Sequence, residues 1–209
     1  MLLEKKTIAD GTLIGIWKIE ETEEQFLQLF EETTPLLEEI KEVSNPTKRC
    51  EKLAVRALFK FLTGAEKRIV YMPSGKPALL DRSFNISISH TKGYAVIALN
   101  KHRIVGVDIE VMSDRAHRIN HRFMNIKERE ALDKSSEPVV SLLHWSAKET
   151  VYKLLSREGV DFEKEILIQP FKLEDKKLKA SEHHTTDRKE FTIYFEVTSS
   201  YVLTMGMYI

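Results

Sequence analysis

Apolar and polar positions change period repeatedly along this chain, and each change marks an element. Residues 12–19 (TLIGIWKI) alternate apolar with small or polar side chains and predict a strand. Residues 22–42 follow as an acidic helical stretch, interrupted near Thr33, Thr34 and Pro35. A better helix is predicted over 47–63, with Leu53, Ala57, Leu58, Phe61 and Leu62 on its apolar face and Gly64 as its stop. Short strands are expected at 68–72, 84–89 and 94–100, the first two separated by the loop Pro73-Ser74-Gly75-Lys76-Pro77. The second half opens on a strand at 103–111 (RIVGVDIEV). A polar, basic segment then runs from Ser113 to Arg122. Helices at 126–134 and 138–157 come next, the second ending near Gly159, and strand-like segments at 165–174, 190–198 and 201–208 close the chain. The last two read as a hairpin across Ser199-Ser200. Each half thus places strands around a helical pair, with no low-complexity linker between them. The expectation is an α+β protein of two packed subdomains, 1–102 and 103–209.

Composition narrows the function classes. Lys plus Arg equals 32 and Asp plus Glu equals 32, so no global field favours nucleic acid or an anionic membrane. Any anion site must be local. Cys50 is the single cysteine, which excludes an internal disulfide and a multi-cysteine zinc site. The N-terminal MLLEKKTIADG lacks the apolar core of a signal peptide, and no run approaches the roughly 18 apolar residues of a membrane span. A cytoplasmic globular protein is expected.

On the strand 104–111, alternation puts Val105, Val107, Ile109 and Val111 on one face, which must be buried. Gly106, Asp108 and Glu110 share the other. Two carboxylates so placed are about 6.5 Å apart at the backbone and can converge on one hard cation. Gly106 beside them leaves room for a ligand to approach. The same pattern also fits a half-exposed strand with an acidic outer face. An oxygen-only site with few protein ligands suits magnesium.

The stretch 145–155 (WSAKETVYKLL) is more informative. On a helical projection Trp145, Ala147, Val151, Tyr152, Leu154 and Leu155 fill one apolar arc, and Ser146, Glu149, Thr150 and Lys153 fill the opposite one. Lys148 falls inside the apolar arc. An ammonium there must snorkel to water or meet an anion, because isolated burial costs several kcal/mol.

Together these segments resemble the Sfp-type 4′-phosphopantetheinyl transferase family. Its signatures are a V-G-[IV]-D-[IV]-E strand and, farther on, a W-[ST]-x-K-E-x-x-x-K helix. Here they read Val105-Gly106-Val107-Asp108-Ile109-Glu110 and Trp145 to Lys153. Gly75-Lys76-Pro77 looks like the family's G-K-P loop. Residues 84–91 (FNISISHT) look like its F-N-x-S-H-[ST] segment, two residues longer. Residues 122–128 (RFMNIKE) resemble its R-F-F-[ST]-x-x-E segment, with Met124 and Asn125 as departures. The matches span roughly half the chain in five blocks, residues 49–160.

The resemblance implies two similar α/β subdomains in a pseudo-twofold arrangement, with the active site in the cleft between them, usually in a monomer. The first would supply coenzyme A contacts, the second the magnesium site and catalytic helix. By the same resemblance Asp108, Glu110 and Glu149 ligate magnesium. Lys148 and Lys153 meet the pyrophosphate of coenzyme A, and Lys76, Ser89 and His90 hold its 3′-phosphate end or its pyrophosphate. Arg49 stands where the family often places a coenzyme A-contacting arginine. Glu128 is acidic at a family position near the metal and equally suits a helix-start cap. The implied reaction moves the phosphopantetheine arm to a serine of an apo acyl or peptidyl carrier protein and releases 3′,5′-ADP. Glu149 is the candidate general base, with Lys153 and Asp108 beside it. Trp145 is expected to pack beneath these groups. Two other readings stay open: a magnesium-dependent phosphate-ester enzyme such as a nucleotide hydrolase, and a non-catalytic coenzyme A or carrier-protein binder.

Overall fold

The computed structural model describes residues 1–8, 10–31, 36–132 and 137–208. Helix and strand are mixed throughout, as an α+β reading requires. The chain divides into two compact units, Met1–His102 and Arg103–Ile209.

In the first unit β1 (Leu2–Thr7) and β2 (Leu13–Lys18) are followed by the short helices α1 (Glu23–Leu27) and α2 (Leu36–Lys41). The long helix α3 (Pro46–Thr63) leads to β3 (Ile69–Tyr71), β4 (Pro77–Leu79), β5 (Asn85–Thr91) and β6 (Tyr94–Asn100). The main sheet runs β1-β2-β6-β5, and β3 pairs with β4 in a separate hairpin. Asn45 caps α3 by accepting from the Lys48 amide, and Gly64 ends it in the left-handed region at φ 73°, as the sequence predicts. Leu53, Ala57, Leu58 and Leu62 meet Trp17, Ile97 and Leu99 in one core. Phe61 departs from the expected apolar face: it is 49% exposed, touching Trp17 edge-on. The expected break at Thr33, Thr34 and Pro35 lies outside the described residues.

The second unit opens on β7 (Ile104–Val111), then α4 (Arg115–Arg118) and a 3-10 turn at Asn120–Arg122. Helices α5 (Ile126–Glu130), α6 (Glu137–Leu155) and α7 (Phe162–Glu165) follow. Strand β8 (Ile166–Ile168), a second 3-10 turn (Leu173–Asp175), β9 (Lys177–Glu182), β10 (Glu190–Val197) and β11 (Tyr201–Tyr208) complete it. The strands order as β7-β11-β10-β9-β8. The hairpin across Ser199-Ser200 forms, with Val197 opposite Val202. The end of the helix predicted over 126–134 falls partly on residues 133–134, outside the described residues.

What seats α6 on this sheet is a pair of facing glycines. Gly106 on β7 lies opposite Gly206 on β11 in the antiparallel register. A Cβ at Gly106 would stand 2.7 Å from the Thr150 carbonyl and 2.9 Å from Leu154 Cγ; one at Gly206 would stand 2.6 Å from Ile193 Cδ1 and 2.9 Å from Leu154 Cδ1. The room expected beside Gly106 for a ligand is therefore filled by helix. Its lack of a side chain lets backbone approach backbone. On the other face of β7, Val105, Val107 and Ile109 are buried as expected, at 2% exposure or less, while Val111 at the strand end is only half-buried.

Candidate active site

Strand β7 and helix α6 carry the candidate residues Asp108, Glu110, Glu149 and Lys153. Antiparallel pairing puts Asp108 opposite Thr204 of β11, on the face that α6 covers. Ser146 and Thr150, one turn apart on α6, both turn toward this strand and are fully buried with Thr204. Thr204 Oγ1 donates to the Ser146 carbonyl at 2.9 Å and accepts from Ser146 Oγ (2.8 Å) and Thr150 Oγ1 (2.7 Å). Three hydroxyls with no access to water thus satisfy one another and fix the register of helix against sheet. The polar arc read from the sequence is consequently an interior face.

That register brings the charged groups together. Lys153 Nζ donates to Asp108 Oδ1 at 2.8 Å and to the Val107 carbonyl at 2.9 Å. Asp108 is itself 3% exposed. Trp145 Nε1 donates to Glu110 Oε1 at 2.8 Å. Glu149 is half-buried, and its carboxyl is pushed up to about 7. Burial is the main cause, the Asp108 charge adds to it, Lys153 opposes it, and Glu110 raises it further. The three carboxylates predicted to act together therefore lie close enough to feel one another's charge.

Their chemistry fits a hard divalent cation. All donors are carboxylate oxygen, and the Asp108 and Glu110 charges add to the burial that raises Glu149, a repulsion that a cation would relieve. Among the described residues no three or more His, Cys, Asp or Glu side chains are drawn into a preset metal cage. Asp108 is turned to Lys153 and Glu110 to Trp145 instead.

Lys148 meets its anion inside the protein. It is 0% exposed and pairs with Glu128 at 2.8 Å, with further bonds to the carbonyls of Phe123 (2.7 Å) and Phe162 (2.9 Å). Three protons meet three acceptors, so this ammonium does not reach a phosphate in the structure. Burial lowers its pKa, and Glu128 works against that shift. Glu128 also forms the capping box of α5, exchanging bonds with Asn125 at 2.8 and 3.0 Å, which is the cap the sequence allowed for.

The predicted coenzyme A contacts are all in the first unit or on α6. Lys76 is half-buried beside the β3–β4 turn. Burial pushes its ammonium below the ordinary value, and among the described residues it has no acidic partner. Ser89 is buried on β5, while His90 is exposed with Nδ1 3.4 Å from Glu51. Arg49 has other occupations. Its Nε meets Glu23 at 2.7 Å and its Nη1 donates to the carbonyls of Val43 (2.8 Å) and Ser44 (3.1 Å).

Comparison with known proteins meets this geometry at the second unit. The family model of the 4′-phosphopantetheinyl transferase superfamily matches residues 104–205, the stretch holding Asp108, Glu110, Glu149 and Lys153. That match agrees, at the breadth of the superfamily, with the resemblance read in the sequence. A protein of Synechocystis sp., provisionally named a 4′-phosphopantetheinyl transferase, is 28% identical over 94 residues. That alignment covers 41% of this chain and 38% of the relative, so it spans about two fifths of the relative's length.

Proposed function

We propose that the protein is an Sfp-type 4′-phosphopantetheinyl transferase that moves the phosphopantetheine arm of coenzyme A to a serine of an apo acyl or peptidyl carrier protein. The observation that carries this reading is the carboxylate group of β7 and α6: burial, with the Asp108 and Glu110 charges behind it, raises Glu149 to about 7 while Lys153 stands against Asp108. The family match over residues 104–205 supports it.

The residues that would hold magnesium are Asp108, Glu110 and Glu149. Bound there, the ion supplies positive charge to the diphosphate. In the reaction the serine Oγ forms a bond to the β-phosphorus of coenzyme A, the bond from that phosphorus to the bridging oxygen breaks, and 3′,5′-ADP leaves. Serine is a poor nucleophile until its proton has an acceptor. Glu149 is suited to that task because a carboxylate near pH 7 is a far stronger base than an ordinary one. Metal ligation lowers its basicity, so its two roles compete. Lys153 is fixed by Val107 and Asp108 before substrate arrives, so its charge needs little reorganisation when negative charge shifts to the leaving group. In the first unit Lys76, a cation with no acidic partner among the described residues, is the better candidate for a coenzyme A phosphate, with Ser89 and His90 nearby in the chain. Arg49, already bonded three times, is the weaker one.

The test is mass spectrometry of apo carrier proteins incubated with this protein, coenzyme A and magnesium. A gain of one phosphopantetheine arm on the carrier serine is expected. Release of inorganic phosphate from nucleotides without an acceptor, or coenzyme A binding without transfer, would replace this reading with a hydrolase or a binder.

A further inference from the structure

Four segments of the second unit converge on one buried ammonium. Lys148 of α6 is hydrogen-bonded to the Phe123 carbonyl after the first 3-10 turn, to Glu128 of α5, and to the Phe162 carbonyl of α7. Glu128 passes the connection on, accepting from the Ile168 amide of β8 at 2.8 Å. Its own N-terminal turn is held through Asn125. All three Lys148 donors are satisfied, so the group acts as a fixed joint.

Two of those carbonyls belong to residues whose rings wall in Trp145. The Trp145 indole lies 5.2 Å from the Phe123 ring in an edge-on arrangement and 5.7 Å from the Phe162 ring. Its Nε1–H reaches Glu110. Lys148 therefore fixes the backbone of both walls, the walls fix the indole, and the indole fixes a carboxylate of the candidate metal group. Trp145 and Lys148 lie almost one turn apart on the same helix, so the same two walls meet both side chains.

We propose that Lys148 is a positioning residue, clamped by Glu128, that sets the Phe123–Trp145–Phe162 slot and through it the orientation of Glu110, rather than a ligand of the coenzyme A phosphates. The inference rests on the transferase reading for its catalytic consequence but not for its structural one. It explains why a lysine occupies the apolar arc of α6: the charge is satisfied from within, by oxygens of three neighbouring segments, and so specifies where those segments stand.

The test uses the full chain. Lys148→Met leaves Glu128 buried without its cation and is expected to fold poorly. The Lys148→Met/Glu128→Gln double variant keeps an acceptor for the cap and removes both charges. In that double variant we expect coenzyme A affinity, by calorimetry without metal, to stay within about twofold of wild type, and kcat to fall at least about tenfold. Trp145→Phe keeps the packing but removes the bond to Glu110. It should lower kcat similarly, and adding it to the double variant should cost little more, since both act through one link. A loss of coenzyme A affinity matching the fall in kcat/KM would overturn the proposal in favour of direct phosphate contact. Unchanged kcat, or independent additive losses, would overturn it as well. Should wild type fail to label any carrier, the transferase reading falls. Trp145 emission in a Trp17→Phe background then decides the structural claim, a shift to longer wavelength supporting it and an unchanged spectrum refuting it.

Discussion

Lys153 Nζ sits 2.8 Å from Asp108 Oδ1, and the lysine is three-quarters buried against an aspartate that is almost wholly so. Desolvating a carboxylate costs several kcal/mol unless a cation or good donors stand beside it. Removing the cation should therefore expose that cost. Lys153→Met is expected to lose about 1–3 kcal/mol of stability along with carrier labelling. Adding Asp108→Asn should restore much of the stability and none of the labelling. Thermal melts with the labelling assay check both halves. A Lys153→Met variant as stable as wild type would show the pair to be without structural weight.

The raised carboxyl of Glu149 makes stability depend on pH in a definite direction. Below about 4.5 it is protonated whether the chain is folded or not, and contributes nothing. From there to about 7 the unfolded chain releases the proton while the folded protein keeps it, so stability falls as pH rises. Above that the penalty is complete and constant, at most about 3 kcal/mol and less after solvent screening. Glu149→Gln should thus melt higher than wild type at pH 8, with the gain shrinking toward pH 5, and should not transfer. Magnesium should raise the wild-type melting temperature at pH 8 more than that of the variant. Equal pH profiles for the two proteins would contradict the assignment.

Gly106 gives a steric prediction. A methyl group there meets the Thr150 carbonyl at 2.7 Å, and backbone cannot turn aside as a side chain can. Gly106→Ala should force α6 off the sheet, costing about 1–3 kcal/mol in the manner of an overpacked core. Transfer should fall more steeply than stability, because the shift separates Glu149 from Asp108. Differential scanning calorimetry with the labelling assay would show it. Labelling retained in a folded Gly106→Ala protein would mean that the spacing of helix and strand is not what sets the site.

Much of this was legible in the sequence, for reasons that also mark where it stopped. Strand β7 and helix α6 announce themselves by period, and the carboxylates on them by residue type. The β10–β11 hairpin and the Gly64 stop follow from turn chemistry. Strand β1 is not legible in the sequence because Leu2–Thr7 is half-exposed and mixes Lys and Glu with little apolar signal; its pairing with β2 makes it a strand. Strand β9 carries a better alternation, with Leu178 and Ala180 buried, but lies among lysines, and the sequence analysis assigns it no element. The helical turn Arg115–Arg118 is too short to show a period. Within the site, the sequence leaves Lys148 either to snorkel to water or to meet an anion, and only the fold supplies Glu128 in place of water or a phosphate. Thr204 carried no signal at all. Its role depends on a register opposite Asp108 that no local pattern encodes.

Lys76 offers the cleanest separation of binding from folding. It is half-buried next to the hairpin formed by β3 and β4, and burial lowers its ammonium pKa. A cation in that state, with no acid paired to it among the described residues, is a small liability to the folded protein until an anion arrives. A phosphate of coenzyme A would supply the missing charge and recover the desolvation cost on binding rather than on folding. Lys76→Met should therefore leave the melting temperature unchanged or raise it slightly, while raising KM for coenzyme A about tenfold and altering kcat little. The same variant should lose less affinity for dephospho-coenzyme A than for coenzyme A if the contact is to the 3′-phosphate. Steady-state labelling with the two donors, beside a melt, measures all three quantities. A variant that melts well below wild type with unchanged KM would assign Lys76 to the hairpin alone.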